Sequence, residues 1–374
     1  MEHVLITGGA GFIGSHLADR LIAEGHEVTI LDTLDPLIHP DGKPPAYMNH
    51  KAFFIKGDVC DYDHLRTIIK DQSVIVHLAS RVGIMPSLWN IKDYWDVNVG
   101  GTVNILDILA NGEHCCKKFV LGSSWCVYGE GSYICPSCGV KDMVSRDEES
   151  IKKHHYQPAC DKCGHDLEAI PTPEDRVTNP SSSYALTKHV QETMVKNFSR
   201  EYSFPAAIAR FFPVYGPRQS LTNQFAGIIP VIINRLKRKK TPILFEDGGQ
   251  IRDFIWIHDA IEILMRMIYS SDDKCRVYNV GSGRQVSIMK LAGIIARVMS
   301  SKIQPSISHM YRRGDIRACY ADTSRLQHDL GIFLPVSLEL GIDEMLEWAQ
   351  TAESCDSFEK MIDVYKNKKI IDLN

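Results

Sequence analysis

Short apolar runs alternate with amphipathic stretches over the first 130 residues. The apolar run at residues 4–6 precedes a glycine-rich turn, a helical spacing of apolar residues from Ile13 to Ile22, and a second run at 27–31 that ends at Asp32. Buried parallel strands are short and apolar, whereas amphipathic helices repeat apolar positions every three or four residues. The same alternation predicts strands at 52–56, 74–78 and 118–121 and helices at 62–70 and 93–110. This pattern is typical of an α/β fold with a doubly wound parallel sheet.

The alternation stops between residues 130 and 180. This stretch is polar, rich in cysteine, histidine, proline and aspartate, and has little periodicity, so we interpret it as an insert with its core at 133–168. Beyond it the pattern predicts a helix at 183–202, strands at 206–211 and 254–257, and a helix after His258.

Composition narrows the class of protein. The 374 residues are 44% hydrophobic and 24% charged, with a net charge of −4, which is ordinary for a globular protein and indicates no nucleic-acid partner. No apolar run reaches the roughly 18 residues of a membrane span, and the N-terminus lacks a signal-peptide pattern, so we expect a cytoplasmic protein without a membrane partner. Four of the eleven cysteines form two Cys-x-x-Cys pairs, which in the cytosol favour metal ligation over disulfides.

A glycine-rich turn, Thr7-Gly8-Gly9-Ala10-Gly11-Phe12-Ile13-Gly14, joins the first strand to the first helix. Glycine lets the backbone approach a pyrophosphate closely, and the helix N-terminus attracts its charge. Asp32 ends the second strand, where a carboxylate accepts hydrogen bonds from ribose hydroxyls and repels a 2′-phosphate. The sequence therefore predicts an NAD site. Its candidate contacts here are Gly8, Gly11, Phe12, Ile13, Gly14 and Asp32.

The ends of the third and fourth strands add candidate cofactor contacts. Asp58 and Val59 follow the third strand, where an acid can reach the adenine edge, although Asp58 could instead cap the next helix. Leu78 and Ala79 end the fourth strand and would pass along the cofactor. The adjacent His77 is either functional or a satisfied core histidine.

Tyr184 and Lys188 lie four residues apart in a predicted helix, so they share one face. We expect Lys188 to lower the pKa of Tyr184 and to hold the nicotinamide ribose, and Tyr184 to act as general base toward a sugar hydroxyl. Such a pair is common by chance. Ser124, at the end of a preceding strand, strengthens the hypothesis because its hydroxyl can polarise the same sugar oxygen.

Together these motifs resemble the extended short-chain dehydrogenase/reductase family, and its nucleotide-sugar epimerase/dehydratase branch in particular. The resemblance covers nearly the whole chain except the insert. Further motifs of that branch are Asn98 in Asn-Val-Gly-Gly-Thr, Val127-Tyr128-Gly129, Tyr215-Gly216-Pro217-Arg218, Arg252-Asp253-Phe254, Asn279-Val280-Gly281-Ser282-Gly283 and Gly314-Asp315.

The resemblance implies an NAD-dependent enzyme that acts on a nucleoside-diphosphate sugar. Ser124 and Tyr184 would lie at the reacting hydroxyl, and Lys188 on the ribose. Asn98 would join the cofactor site. The implied substrate contacts are Arg218, Arg252 and Arg313, as phosphate ligands, and Asp315. The guanidinium fork suits phosphate oxygens, although a surface salt bridge is the alternative for each arginine.

The resemblance also sets the expected organisation. Residues 1–205 would form an NAD-binding Rossmann domain that carries the insert at 133–168. Residues 206–374 would form mainly the nucleotide-sugar lobe, with about 241–270 returning to the first domain. The helices at 93–110 and 183–202 would lie together on one face, which in this family often forms a homodimer.

The residues after Ser124 bear on the reaction. Relatives that eliminate water usually have an Asp-Glu pair there and decarboxylases a Glu, whereas this chain has Trp125-Cys126. We therefore expect 4-epimerisation through a transient 4-keto sugar, with NAD regenerated. GDP-mannose 3,5-epimerases and GDP-fucose synthases resemble this stretch and place a catalytic cysteine at the position of Cys126, so a 3,5-epimerase is an alternative. A 4,6-dehydratase, a 4-keto-sugar reductase and a non-catalytic NAD-sensing protein are others.

Cys135, Cys138, Cys160 and Cys163 form two Cys-x-x-Cys pairs separated by a spacing that fits a four-thiolate zinc site. Such a closed site would be structural, while four free thiols or a redox pair are the alternatives. A dTDP-L-rhamnose 4-epimerase-like subgroup has two similar pairs at this place, and it shares the phrases at 128–131 and 170–175. This resemblance suggests a 6-deoxyhexose substrate.

Overall fold

A parallel sheet frames the chain in the computed structural model, which describes residues 1–141, 143–223, 225, 227–270, 274–333 and 336–372. The strands are β1 (His3–Thr7), β2 (Glu27–Asp32), β3 (Phe53–Lys56), β4 (Val74–His77), β5 (Lys118–Ser124), β6 (Ser132–Cys135), β7 (Gly139–Lys141), β8 (Glu168–Ile170), β9 (Ala206–Phe211), β10 (Val214–Tyr215), β11 (Ile243–Leu244), β12 (Ile251–Arg252), β13 (Ile255–Trp256), β14 (Arg276–Val280), β15 (Val286–Ser287), β16 (Ser306–Ile307), β17 (Tyr311–Arg312) and β18 (Ile371–Asp372).

The α-helices cover the faces of this sheet and build the C-terminal part of the chain. They are α1 (Phe12–Ala23), α2 (Tyr62–Ile69), α3 (Ile91–Tyr94), α4 (Gly101–Asn111), α5 (Glu148–Lys152), α6 (Ser183–Tyr202), α7 (Ile228–Lys237), α8 (Ile257–Tyr269), α9 (Ile288–Val298), α10 (Ser324–Leu330), α11 (Leu338–Thr351) and α12 (Phe358–Asn367).

The central sheet of the described residues has the order β14-β9-β5-β4-β1-β2-β3, and its strands pair in parallel. The order reverses at β1, which places a cleft beyond the carboxyl ends of the strands. The doubly wound α/β fold is therefore confirmed. The expected boundary at residue 205 does not follow the sheet, because β9 and β14 both lie beyond it. Helix α8 also packs against α1.

The helix predicted at 93–110 is interrupted. Helix α3 ends at Tyr94, residues Trp95–Gly100 form a π-helical turn, and α4 begins at Gly101. A Cβ at Gly101 would approach a methyl of Val59 to 2.5 Å, so α4 packs on the loop after β3 at a distance that only glycine permits. The π turn also re-aims Asn98, which is fully buried. Such turns are often found at functional sites.

The insert is ordered despite its irregular sequence. Its strands β6, β7 and β8 form an antiparallel sheet in the order β7-β6-β8. The segment beyond it pairs with the C-terminal part of the chain through a bridge between Thr172 and Ala321. The Gly131 N–H donates to the carbonyl of Ala318 at 2.9 Å, so the insert is anchored at both its ends.

Among the described residues, no helix has the length and apolar character needed to cross a bilayer.

A buried ion pair joins the sheet to helix α6. Arg210, on β9, donates to both carboxylate oxygens of Glu192 at 2.8 and 2.7 Å. Ser123, on β5, donates to the same carboxylate at 2.7 Å, and the Arg210 guanidinium lies over the Tyr128 ring, 4.6 Å from its centroid. The contacts with Arg210 outweigh burial and lower the pKa of Glu192. The carboxylate is therefore charged and fixes α6 against β5 and β9.

Replacing Arg210 should destabilise the fold strongly. The Arg210→Met variant leaves the Glu192 carboxylate buried without its counter-charge, which costs about 3–5 kcal/mol. Chemical denaturation followed by circular dichroism measures the loss. The matched control is Lys196→Met, because Lys196 contacts the same carboxylate from a side chain that is 41% exposed and such a pair contributes about 0.5 kcal/mol. Equal losses in the two variants would contradict a structural role for Arg210.

Candidate active site

The glycine turn has the close packing that a pyrophosphate site needs. Gly8 has φ +71°, and a Cβ there would lie 2.8 Å from the Ala79 nitrogen at the end of β4. A Cβ at Gly14 would lie 2.5 Å from the carbonyl oxygen of Gly8. The turn therefore packs tightly against its own helix and against β4, and it leaves the N-terminus of α1 open, with Gly11, Phe12 and Ile13 half-buried.

Asp32 lies beside this turn. Its carboxylate accepts hydrogen bonds from the N–H groups of Ala10 at 3.0 Å and Leu34 at 2.9 Å. The acid is thus oriented at the carboxyl end of β2, where it is half-buried. Its geometry suits a ribose diol and is unfavourable for an additional phosphate.

The other predicted cofactor residues line the ends of β3 and β4. Leu78 and Ala79 are half-buried at the end of β4, beside Gly8. Asp58 is exposed and accepts a hydrogen bond from the Cys60 N–H at 2.9 Å, while Val59 is buried. These positions meet at the same edge of the sheet, as expected of a dinucleotide cleft.

Asn98 differs from the prediction. Its side chain is fully buried and bonds to protein groups. The amide oxygen accepts from Ser80 and from the Arg81 N–H, and the amide nitrogen donates to the Arg81 carbonyl and to Thr187, all at 2.8–3.1 Å. Asn98 thus ties the loop after β4 to the helix of Tyr184. These hydrogen bonds hold the walls of the cofactor cleft in position.

His77 is a satisfied core histidine. It is 1% exposed and bonds to Thr7 at 2.7 Å and Thr102 at 3.1 Å. Burial lowers its pKa to about 3, so the ring is neutral.

The catalytic candidates converge at the carboxyl end of β5. Ser124 ends β5, and Tyr184 lies in the first turn of α6, which begins after the Ser182 cap. Lys188 follows one turn later and donates to the Gly122 carbonyl at 2.8 Å. Glu192 occupies the next turn of the same helix, so the pair with Arg210 holds this face of α6 over the strand that carries Ser124.

The electrostatics correct one expectation. Burial raises the pKa of Tyr184 well above its ordinary value, and the Cys126 thiol adds to the rise, while a hydrogen bond with Ser124 opposes it. Burial lowers the pKa of Lys188 to about 7, against the attraction of Glu192. Lys188 donates to the Gly122 carbonyl and does not contribute to the pKa of Tyr184 in the free protein.

Cys126 is close to the same centre but is poorly suited to proton transfer. It is 4% exposed, and burial raises its pKa to about 11 against a hydrogen bond from Ser124. Its neighbour Trp125 stacks on Phe212, with ring centroids 6.2 Å apart. Both residues after Ser124 are therefore packed into the wall of the site.

A cluster of charges lies behind this wall. The Arg252 guanidinium lies 5.1 Å from the Trp125 ring centroid and 3.1 Å from the Asp315 carboxylate. Arg312 contacts the other oxygen of Asp315 at 2.6 Å. Burial opposes ionisation of Asp315, but Arg312 and Arg252 lower its pKa to about 2. Arg252 and Arg312 therefore share one ionised carboxylate.

Two predicted phosphate ligands have other partners. Arg218 pairs with Asp19 of α1 at 2.7 Å and lies over the Tyr47 ring. Arg313 is 58% exposed and lies 3.8 Å from Glu148 of the insert. Strand β17 ends at Arg312, and Arg313 lies in the turn that follows. Arg312, and not Arg313, contacts Asp315 in the charge cluster.

Arg146 was not predicted. It is 6% exposed and lies 3.2 Å from the carboxylate of Glu130 and 2.6 Å from that of Glu246. It also donates to the carbonyl of Asp315. The insert therefore supports the charge cluster directly. Its position between two distant carboxylates gives no local sequence signal, whereas Glu192 could have been found from its spacing of four residues from Lys188.

The model of the NAD dependent epimerase/dehydratase family matches residues 4–281, which is well over half of the chain. The chain belongs to this family. An enzyme with NAD as its cofactor, as predicted, is thereby confirmed.

Three relatives illustrate the similarity of this epimerase/dehydratase family member. A dTDP-L-rhamnose 4-epimerase from Burkholderia thailandensis is 31% identical over 93% of this chain and 94% of its own. A structure of UDP-N-acetylglucosamine 4-epimerase from Methanobrevibacter ruminantium, in complex with UDP-N-acetylmuramic acid, has a TM-score of 0.75 and 28% identity, covering 94% and 98% of the two chains. MoeE5 in complex with UDP-glucuronic acid and NAD has a TM-score of 0.74 and 26% identity, covering 93% and 99%.

The four paired cysteines of the insert come together in this family member. The Sγ atoms of Cys135, Cys138, Cys160 and Cys163 all lie within 4.8 Å of one another. A tetrahedral zinc site with Zn–S bonds of about 2.3 Å requires sulfur atoms about 3.8 Å apart, so the cluster fits zinc. The sulfur atoms of Cys135 and Cys163 are 3.4 Å apart, and the ring of His165 approaches the Cys163 sulfur to 3.3 Å.

The low pKa of Lys188 predicts how stability depends on pH. An unfolded lysine has a pKa near 10.5, against about 7 here, so between these values the unfolded chain binds more protons and the free energy of unfolding rises with pH. Urea denaturation of the NAD-free protein at pH 7, 8 and 9 should show a steeper rise for the wild type than for Lys188→Met. Parallel pH dependences would contradict the burial of a titrating ammonium.

Proposed function

We propose that this enzyme is a nucleotide-sugar 4-epimerase, and that its substrate is a 6-deoxyhexose on a nucleoside diphosphate, with dTDP-L-rhamnose as the first candidate. The sugar is suggested by the dTDP-L-rhamnose 4-epimerase of Burkholderia thailandensis, which matches nearly the whole chain. The reaction is supported by the site itself and by the several 4-epimerases among the similar proteins.

One observation supports 4-epimerisation above elimination. The side chains that shift the pKa of Tyr184 are those of Ser124, Cys126 and Tyr94. None of them is a carboxylate. The residues after Ser124 are a tryptophan packed against Phe212 and a thiol whose pKa is about 11. Elimination of water across C5 and C6 needs an additional acid and base. A site with a single proton-transfer phenol matches a reaction at one hydroxyl.

Three residues of the chain would have separate roles in the reaction. The hydroxyl of Ser124 would donate a hydrogen bond to the C4 oxygen. The phenolic oxygen of Tyr184 would take the proton of the C4 hydroxyl and return it when the ketone is reduced. Bound NAD supplies the hydride acceptor, and its positively charged ring favours the phenolate that burial disfavours. Lys188, hydrogen-bonded to the Gly122 carbonyl, would hold the ribose in place.

The diphosphate would bind at the cluster of Arg252, Arg312 and Asp315. Epimerisation requires the keto-sugar to turn over and present its other face, while the molecule stays attached. An anchor on the diphosphate permits this rotation, because the two arginines grip only the phosphate oxygens. The apolar wall of Trp125 and Phe212 would contact the turning ring without directional bonds.

Proton NMR in deuterated water tests the reaction. The protein incubated with dTDP-L-rhamnose, and in parallel with UDP-glucose and UDP-glucuronic acid, should invert C4 of its substrate without deuterium incorporation and without net NADH, because the hydride returns to the carbon it left. Deuterium at C3 or C5 would make Cys126 a proton carrier and overturn the proposal, and loss of water with deuterium at C6 would identify a dehydratase.

The matched variants are Tyr184→Phe and Tyr202→Phe, which remove a hydroxyl from the two ends of the same helix. Removal of the Tyr184 hydroxyl should lower kcat by about 10²–10⁴-fold, the usual contribution of a general acid–base group. Tyr202 is 55% exposed, so its variant should keep wild-type kcat.

We also propose that the four insert cysteines bind a structural zinc ion. The sulfur spacing and the closed set of four ligands support this assignment, and a closed site leaves no position for substrate. The purified protein should contain about one zinc per chain by atomic emission, and Cys160→Ser with Cys163→Ser should abolish it. Cys275→Ser, outside the insert, is the control. Wild-type protein that contains no zinc and is no more stable than the variant with Cys160→Ser and Cys163→Ser would overturn the assignment.

A homodimer is a further proposal. Helices α4 and α6 pack against each other, and Val103 and Leu186 on them are 44% and 40% exposed. In a dimer, α4 and α6 of one protomer would pack on the same two helices of its partner and bury these apolar side chains in a four-helix bundle.

A further inference from the structure

We propose that Arg81 forms a clasp with Asp35 and Asp93 across the dinucleotide cleft, and that this clasp slows the release of NAD. The clasp rests on the proposed cofactor site, and none of its three residues was among the candidate site residues of the sequence.

The sheet order determines what such a clasp must cross. Asp35 follows the end of β2 by three residues, and Arg81 follows the end of β4 by four residues. Strand β1 lies between β2 and β4, and its carboxyl end carries the glycine turn. A salt bridge from Asp35 to Arg81 therefore spans the edge at which a dinucleotide enters.

The clasp is built from both sides. The Arg81 Nη1 donates to the Asp35 carboxylate, and its Nε lies 2.8 Å from the Asp93 carboxylate of α3. The Asp35 carboxylate is itself oriented by the N–H of Leu37 at 2.8 Å. The side chains of Arg81, Asp35 and Asp93 are 33%, 21% and 47% exposed. The bridge therefore lies at the mouth of the cleft and is not a core contact.

The backbone of Arg81 is fixed while its side chain is free to swing. Asn98 accepts from the Arg81 N–H and donates to its carbonyl, which holds the residue in place. The guanidinium is attached through a long flexible stem and can leave both carboxylates without moving the chain. The arrangement therefore allows opening at the cost of the ion pairs alone.

A retained cofactor matches the proposed chemistry. An epimerase returns its hydride in each turnover, so NAD need not leave between cycles, whereas a net oxidoreductase must exchange it. Asp35 and Asp93 are also acids near a negatively charged pyrophosphate. Pairing with Arg81 neutralises part of this charge, which would otherwise repel the ligand.

Retention of NAD tests the clasp. Wild-type protein, Arg81→Met, Asp35→Asn and the double variant are loaded with NAD, and the release rate is followed by rapid gel filtration and by assay of the NAD that remains after denaturation. Because each variant removes the charge-assisted hydrogen bond between Arg81 and Asp35, both should release NAD roughly tenfold faster than the wild type. The double variant should be no faster than either.

Three further results separate the explanations. Arg20→Met, which removes ion pairs with Glu24 of α1 and Glu262 of α8, should keep the wild-type rate. If Arg81 instead contacted the pyrophosphate directly, Asp35→Asn would free its charge and slow release, which would overturn the clasp. Wild-type release rates in Arg81→Met and Asp35→Asn, both folded by circular dichroism, would also overturn it.

Salt gives an independent readout. Ion pairs at the cleft mouth are screened by salt, so release from the wild type should accelerate with ionic strength more than release from Arg81→Met; equal salt dependences would overturn the clasp. Failure of the proposed reaction is distinguishable, because a protein that holds NAD through this clasp and leaves C4 of every tested sugar unchanged refutes the epimerase and leaves the clasp standing.

Discussion

The pair of Arg210 and Glu192 is the contact on which the geometry of the site depends. It joins β9 to α6, and through Ser123 it also reaches β5. A buried charge without a partner is very costly, so these three elements have one favourable arrangement. Ser124 follows Ser123, and Lys188 and Tyr184 precede Glu192 by one and two turns. The catalytic groups are therefore placed by a pair that does not itself touch the reacting atoms.

Much of the fold follows from local sequence. The strand at 206–211 and the helix at 183–202 lie where the apolar periodicity predicts them, because each buries one continuous run or one face. The π turn at Trp95–Gly100 was missed, since it depends on the packing of Gly101 on Val59. The place of β14 in the central sheet was also missed, because pairing with β9 is a contact between distant segments. The sheet of the insert depends in turn on contacts with Thr172 and Ala318.

In the candidate site, too, residues within local motifs were predicted, whereas residues that depend on distant partners were not. The glycine turn, Asp32, Tyr184 and Lys188 were found because a motif carries each of them within a few residues. The predicted lowering of the Tyr184 pKa by Lys188 was wrong for the free protein, since spacing alone does not show that both side chains are buried. The exchange of Arg313 for Arg312 depends on where β17 ends, because Arg312 is its last residue and Arg313 lies in the following turn. Arg146 depends on Glu246 and Asp315, which lie 100 and 169 residues away along the chain, and it has no local signature.

The support of Arg146 by residues far along the chain bears on how the enzyme is made. A polypeptide leaves the ribosome from its N-terminus, and β1 to β5, with the glycine turn, are complete by Ser124. The insert emerges next, but Glu246 and Asp315, which its arginine requires, follow much later. During synthesis the strands and the glycine turn of the cofactor site therefore emerge well before the residues that complete the charge cluster. A truncated product that ends before Arg312 would lack the grip on the diphosphate while keeping the groups that bind the dinucleotide.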